Sequence, residues 1–195
     1  MRVLLVSTVI VLCDQVTKLL VKGLSVPWLG IAWKGMPYGA SKPVLGNFLR
    51  LTYIENPGMA FGIDVGGKPL FAAFSVVAAI AIVWILFRMR HEGLGFRIAL
   101  AMILGGAVGN LIDRVFYGTM FEGTPLFFGK VVDFIDVDFF KINLLGYHVS
   151  RWPVFNIADS CVTIGVVLLL IFHRSVAPSR EALTDSAAGT TRTEE

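Results

Sequence analysis

The chain has 195 residues, of which 55% are hydrophobic and 16% charged, with a net charge of +3. A single soluble core needs fewer apolar residues than this, and so small a positive charge gives no reason to invoke nucleic acid. Two cysteines (Cys13, Cys161) and three histidines (His91, His148, His173) show neither disulfide nor metal-ligand spacing.

A bilayer core of roughly 30 Å is crossed by about 20 apolar helical residues. Four segments qualify, at about 3–21, 70–87, 97–117 and 154–172. The first carries Asp14 and Lys18 in "DQVTK". They lie four apart on one face, acid before base, which is a favourable helical pair. Their role is read as structural. Leu12 is too large to precede a lipoprotein-type cleavage at Cys13, and the apolar run continues beyond it, so this helix is expected to stay attached.

The connection 22–69 contains a strand signal, with Phe48, Arg50, Thr52 and Ile54 alternating with Leu49, Leu51, Tyr53 and Glu55. "NPG" at 56–58 marks a turn, and "MAFGI" is read as the returning strand. The short link after the second span holds Arg88, Arg90 and Arg97 against Glu92, which predicts a cytoplasmic position. Arg2 precedes the first span, and Arg174 and Arg180 follow the last, so both termini are expected in the cytoplasm. The connections 22–69 and 118–153 then face outward, with Trp28, Trp33, Tyr38, Tyr147 and Trp152 as interfacial anchors.

The third span holds Gly105 and Gly109 at the spacing that lets membrane helices approach closely. It ends in "GNLIDR", which sets Asn110 and Asp113 one turn apart with Arg114 following. "GKVVDFIDVDFF" at 129–140 alternates as a strand of a small outer sheet and carries Asp133, Asp136 and Asp138. Asp136 and Asp138 are read as solvated. The fourth span opens with "FNIADS", repeating the Asn-x-x-Asp spacing at Asn156 and Asp159. Residues 1–174 form one membrane domain. The tail 175–195 is polar, lacks aromatics, and is expected to be a disordered cytoplasmic extension.

Charges inside a membrane helix need a reason. The third and fourth spans are sequential and antiparallel, so their Asn-x-x-Asp pairs reach the same outer layer. Asp113, Asp133 and Asp159 meet there. Two carboxylates held together share a proton. One then acts as general base toward water, and the other donates to the carbonyl under attack. Asp159 is one member. Asp113, with Arg114 and Asn110 beside it to keep it ionised, and Asp133, with only apolar neighbours, compete for the other place, and the residues themselves leave the choice nearly open. A proton-coupled membrane transporter is the alternative, but its acids belong near the midplane on broken helices with inverted repeats. Here the acids gather at one surface.

The set "DQVTK", "ENPGMAFG", "GGAVGNLIDR", "VVDFID" and "FNIADS", in this order, closely resembles bacterial lipoprotein signal peptidase (signal peptidase II) over about residues 10–172. Met59, where the family has Ala, and a long insert at about 119–130 depart from it. The resemblance implies an all-α polytopic membrane protein: a four-transmembrane-helix bundle with a small periplasmic β-sheet (a cradle) and a short periplasmic helix. It implies an aspartyl endopeptidase of the bacterial inner membrane, with its active site near the periplasmic surface. The substrates would be prolipoproteins, cut just before a Cys that carries diacylglyceryl, in contact with membrane lipids. Asp133 and Asp159 would be the catalytic pair. Asn110, Asp113 and Arg114 would support the site, Asn56 and Asn156 would line the pocket, and Asp14 and Lys18 would be structural. No metal or other cofactor is implied.

Overall fold

The computed structural model describes residues 2–58, 67–138, 142–144, 147–149 and 151–173. Among these residues four apolar helices form the bundle: α1 (Leu4–Lys22), α2 (Lys68–Arg88), α3 (Leu94–Ile112) and α4 (Ile157–His173). α1, α2 and α3 with its extension are long and apolar enough to cross a membrane; α4 is apolar but shorter, at 17 residues. It begins at Ile157 rather than near 154 because Phe155 pairs in extended conformation with Ile135. α3 does not stop at Ile112. It continues as a wide π turn, Asp113–Glu122, that takes up the start of the insert. Such widened turns concentrate at functional sites.

α3 is the hub and packs on α1, α2 and α4. Its glycines make this approach possible. A Cβ at Gly106 would lie 2.3 Å from the Ala158 carbonyl oxygen on α4, and one at Gly105 would lie 2.9 Å from Ile10 Cβ on α1. Helix packing therefore accounts for the small-residue spacing. The outward faces remain apolar, with Leu5, Val9, Leu12, Val16 and Leu20 exposed on α1 and Phe74, Val77, Ile80 and Trp84 on α2.

The central sheet is antiparallel, in the order β3 (Ser41–Leu45), β4 (Leu49–Asn56), β5 (Val131–Val137). It sits at the end of the bundle where α1 and α3 finish and α4 begins. Ile54 pairs with Asp133 and Asn56 with Val131. Two small hairpins form sheets of their own. β1 (Leu24–Val26) pairs with β2 (Ile31–Trp33) around a 3-10 turn at Pro27–Leu29. β6 (Ile142–Leu144) pairs with β7 (Tyr147–Val149).

The strands expected around 48–55 and within 129–140 are present as β4 and β5, and residues 139–140 of the second lie outside the described residues. The period-two reading of β5 misled in one respect. The strand has no solvent face, and Asp136 is 6% exposed rather than solvated. It is buried because Thr52 Oγ1 and Arg151 Nε each donate to it, both at 2.6 Å. Asp138 is half-buried. Trp28, Trp33, Tyr38 and Trp152 are exposed. The only helical turn in the outer connections, among the described residues and apart from the continuation of α3, is Pro27–Leu29. Met59, the rest of "MAFGI", the side chain of Tyr147 and the tail 175–195 lie outside the described residues.

Candidate active site

Asp133 comes from the middle of β5 and Asp159 from the first turn of α4. The second Asn-x-x-Asp is a helix start. Asp159 N–H donates to Asn156 Oδ1 (2.9 Å), and Asn156 N–H donates to Asp159 Oδ2 (3.2 Å). This reciprocal pair satisfies backbone donors that a helix N-terminus leaves open. The Asn156 amide does more. Its Nδ2 donates to Asp133 Oδ1 at 2.7 Å and to Asn110 Oδ1 at 3.1 Å. Asn110 Nδ2 in turn donates to Asp159 Oδ1 at 2.7 Å. Asn56, at the end of β4, hydrogen-bonds to Asp133 as well. Two carboxylates are thus held by amides from three different elements.

Asp133 is 2% exposed. Burial pushes its carboxyl up, and the charge of nearby Asp159 pushes it further; Asn156, Lys18 and Asn56 offset part of this and leave it at about 7. A carboxyl of this kind can hold a proton near neutrality.

A second acid pair lies directly behind. Lys18 Nζ is 2.8 Å from Asp14 Oδ2 and 2.8 Å from Asp113 Oδ2, with all three side chains fully buried. Gln15 donates to Asp113 Oδ1 (2.9 Å), Val132 N–H to Asp113 Oδ2 (3.1 Å) and Ala158 N–H to Asp14 Oδ1 (3.0 Å). Tyr117 OH holds Gln15 at 3.0 Å. Gly109 leaves the room: a Cβ there would sit 2.6 Å from Asp14 Oδ2. The partners of Asp113 are therefore Lys18 and Gln15, not Arg114 and Asn110 as its neighbours in sequence suggest. Successive helical residues point about 100° apart, so adjacency along the chain does not make a pair. Arg114 donates instead to Ser75 Oγ on α2 (3.0 Å), and its charge acts on Asp159, Asp113 and Asp133. Lys18 also donates to Asn110 Oδ1 (2.9 Å), which turns that amide's NH2 toward Asp159.

Sequence reasoning missed Gln15, Ser75 and Tyr117, although a Gln inside an apolar span was a visible signal. It also missed the clamp around Asp136. Arg151 binds Asp136 and donates to the Asn47 carbonyl (3.1 Å), while Ile135 and Phe155 exchange backbone bonds of 2.7 and 3.0 Å. This clamp fixes β5 against the segment that enters α4, and so fixes Asp133 relative to Asp159. The insert is tied down separately. Lys130 binds Glu122 at 2.9 Å and reaches Glu55, which also pairs with Lys22. Burial raises the Glu55 carboxyl, but Lys22, Tyr53 and Lys130 outweigh it and hold the group below its ordinary value.

Asp159 opens onto an apolar groove of about 330 Å³, lined by Trp152, Phe155, Ser160, Thr163 and Ile164. The site can present two coupled acids and a water to an extended chain whose apolar part lies in the groove.

Known proteins resemble this chain in sequence and in fold. The family model described as signal peptidase (SPase) II matches residues 6–174. A lipoprotein signal peptidase of Desulforapulum autotrophicum is 40% identical over 179 residues, covering 88% of this chain and 90% of that protein. One of Chlorobium phaeobacteroides is 33% identical over 174 residues, covering 89% and 90%. A bacterial membrane enzyme solved by the in meso method at 2.3 Å superposes with a TM-score of 0.65 at 31% identity, covering 92% of each chain. With a family match across nearly the whole described chain and relatives at this identity, the chain belongs to the signal peptidase II family and is a polytopic membrane peptidase.

Proposed function

We propose that this chain is an intramembrane aspartyl endopeptidase that removes signal peptides from prolipoproteins. It cleaves just before the cysteine that carries diacylglyceryl. The observation that carries the reading is the pairing of Asp133 and Asp159 at one end of an apolar bundle. Both are held by amide donors, Asp159 lines an apolar groove, and Asp133 is raised to about 7.

In this mechanism Asp133 starts protonated and Asp159 ionised. Asp159 takes a proton from water as the oxygen attacks the scissile carbonyl. Asp133 gives its proton to the carbonyl oxygen, forming a tetrahedral diol. On collapse, Asp159 returns its proton to the leaving nitrogen and Asp133 recovers one from the diol, so the pair ends as it began. Asn156, Asn110 and Asn56 keep the two carboxylates oriented. Arg114 supplies the nearby positive charge. Asp14, Lys18 and Asp113 hold the layer behind the site. The Arg88, Arg90 and Arg97 link lies at the opposite end of α3 from the acids. That fits termini in the cytoplasm and an active site at the outer face of the bacterial inner membrane. The scissile bond would meet water there, while the signal peptide and lipid chains approach through the bilayer.

The test is cleavage of a purified diacylglyceryl-modified prolipoprotein by the detergent-solubilised chain, read by mass spectrometry. The product should begin at the lipidated cysteine, the unlipidated precursor should be cut poorly, and a chelator should leave the rate unchanged. Normal cleavage by Asp133→Asn or Asp159→Asn protein would sink the reading.

A further inference from the structure

The peptidase site leaves the β1–β2 hairpin unused. It follows α1 after one residue and folds back beside it. Gly23 and Gly35 make that reversal possible. A Cβ on Gly35 would lie 2.4 Å from Gly23 N and 2.5 Å from the Lys22 carbonyl carbon, and Gly35 has φ of +60°. The two legs of the hairpin thus cross the helix end with no room to spare, which sets the hairpin's direction. Trp33 then pins the second strand, its indole N–H donating to the Leu20 carbonyl at 2.8 Å.

Between hairpin and helix runs a groove of about 180 Å³, lined by Val16, Leu19, Leu20, Leu24, Ile31 and Trp33. No lining side chain is charged. The groove is on the wrong side of α1 to serve the dyad. Asp14, Lys18 and Val21 mark the buried face of the helix. Val16 and Leu20 each follow a buried residue by two positions, about 200° round the helix, and they are 55% and 52% exposed. They continue the outward stripe of Leu5, Val9 and Leu12, which in a spanning helix can only face lipid. The depth of the hairpin is bounded too. A two-stranded ribbon has open edges, and unpaired backbone groups are not tolerated in hydrocarbon. It must therefore sit where water still reaches, at the level that suits a Trp ring. Its tip carries Trp28, 83% exposed, and Leu29.

We propose that the β1–β2 hairpin is an interfacial lipid-binding element that clasps the upper part of one phospholipid acyl chain against the outward face of α1, in the leaflet next to the dyad. The bilayer lipid, not the substrate's diacylglyceryl group, fills the groove, because the groove opens away from Asp133 and Asp159. The hairpin is thereby a second, non-helical anchor that fixes the depth of the end of α1.

Two full-length single-tryptophan proteins test this. One keeps Trp28 (Trp33→Phe, Trp84→Phe, Trp152→Phe), and the other keeps Trp33 (Trp28→Phe, Trp84→Phe, Trp152→Phe). Each also carries Asp133→Asn, so that added substrate is not consumed. They are reconstituted in phosphatidylcholine vesicles whose chains are brominated either just below the glycerol or near the chain end. Emission from both tryptophans should fall about twofold with the shallow bromines and much less with the deep ones, as interfacial burial requires. Excess unbrominated diacylglyceryl prolipoprotein should leave Trp33 quenched. Quenching of both by aqueous acrylamide but not by bromolipid would overturn the proposal. Relief of Trp33 quenching by substrate would also overturn it, by assigning the groove to the substrate's lipid. Cleavage is not read in this experiment, so its outcome is independent of the peptidase mechanism.

Discussion

Two pairs of aspartates lie back to back in one layer of this protein, and their surroundings are opposite. Asp14 and Asp113 share a lysine, with Lys18 Nζ at 2.8 Å from each. Asp133 and Asp159 share amides, and the direct hydrogen bonds to them come from Asn156, Asn110, Asn56 and backbone. A buried lysine between two carboxylates ties the three side chains into one fixed unit. Amide donors orient a carboxylate without neutralising it, so the charge of Asp159 is felt at Asp133 and raises it. The proposed chemistry needs the second condition, and architecture needs the first. The same residue type serves both because Lys18 makes ion pairs with Asp14 and Asp113, while Asp133 and Asp159 meet amides.

The contrast can be broken in four ways. The largest effect is expected from exchanging acids for amides. Asp133→Asn or Asp159→Asn should lower cleavage of lipidated prolipoprotein about a thousandfold or more, because both acids act in one unit. Asp113→Asn should cost far less activity but lower the melting temperature. The reverse pattern in a rate-and-melting comparison would mean that the two pairs have been assigned the wrong way round.

Lys18→Met comes next. It leaves Asp14 and Asp113 buried without a counter-charge and should destabilise the fold by about 3–5 kcal/mol. Adding Asp113→Asn to it should restore part of that loss. Thermal unfolding in detergent measures both.

The third effect is one of pH. Asp133 rises from an ordinary 3.8 to about 7 on folding. Between these values the folded protein holds a proton that the unfolded chain has released, so this group's contribution to stability falls as pH rises through the window and is flat above it. Asp133→Asn should remove that slope. Activity should decline as pH rises past about 7, where the pair loses its shared proton. A rate that climbs steadily through that pH would contradict the raised carboxyl.

The smallest effect belongs to the clamp. Asp136→Ala should cost about 1–2 kcal/mol, the range for losing a buried hydrogen-bonding group. It should reduce the rate less than tenfold, through poorer alignment of Asp133 with Asp159. Arg151→Ala should behave alike, and the double variant should be little worse than either, because both remove one interaction.

Much of this was legible in the chain. The apolar helices announced themselves because lipid demands long apolar runs, and they form within a few residues of the expected bounds, with α4 shorter than the other three. The two Asn-x-x-Asp pairs were placed at one level by helix rise alone, and Asn110 and Asp159 do meet. Other features were not legible. Asp136 was read as solvated because its partner, Arg151, belongs to a segment whose path the strand pattern does not reveal. Asp113 was given Arg114 as a partner by adjacency, which a helix turns aside. The insert gave no sign that α3 would continue into a wide turn, or that Lys130 would tie it to Glu55.

Depth is a one-dimensional quantity, set by where apolar runs begin and end and by a fixed rise per residue, so the sequence alone could gather the acids into a single layer at one end of the bundle. Sorting them within that layer is a matter of lateral distance. Lys18, on the first helix, could have faced any of the acids. Only the packing of α1 on α3, through Gly105 and Gly109, brings its ammonium to Asp113 and leaves Asp133 and Asp159 to each other.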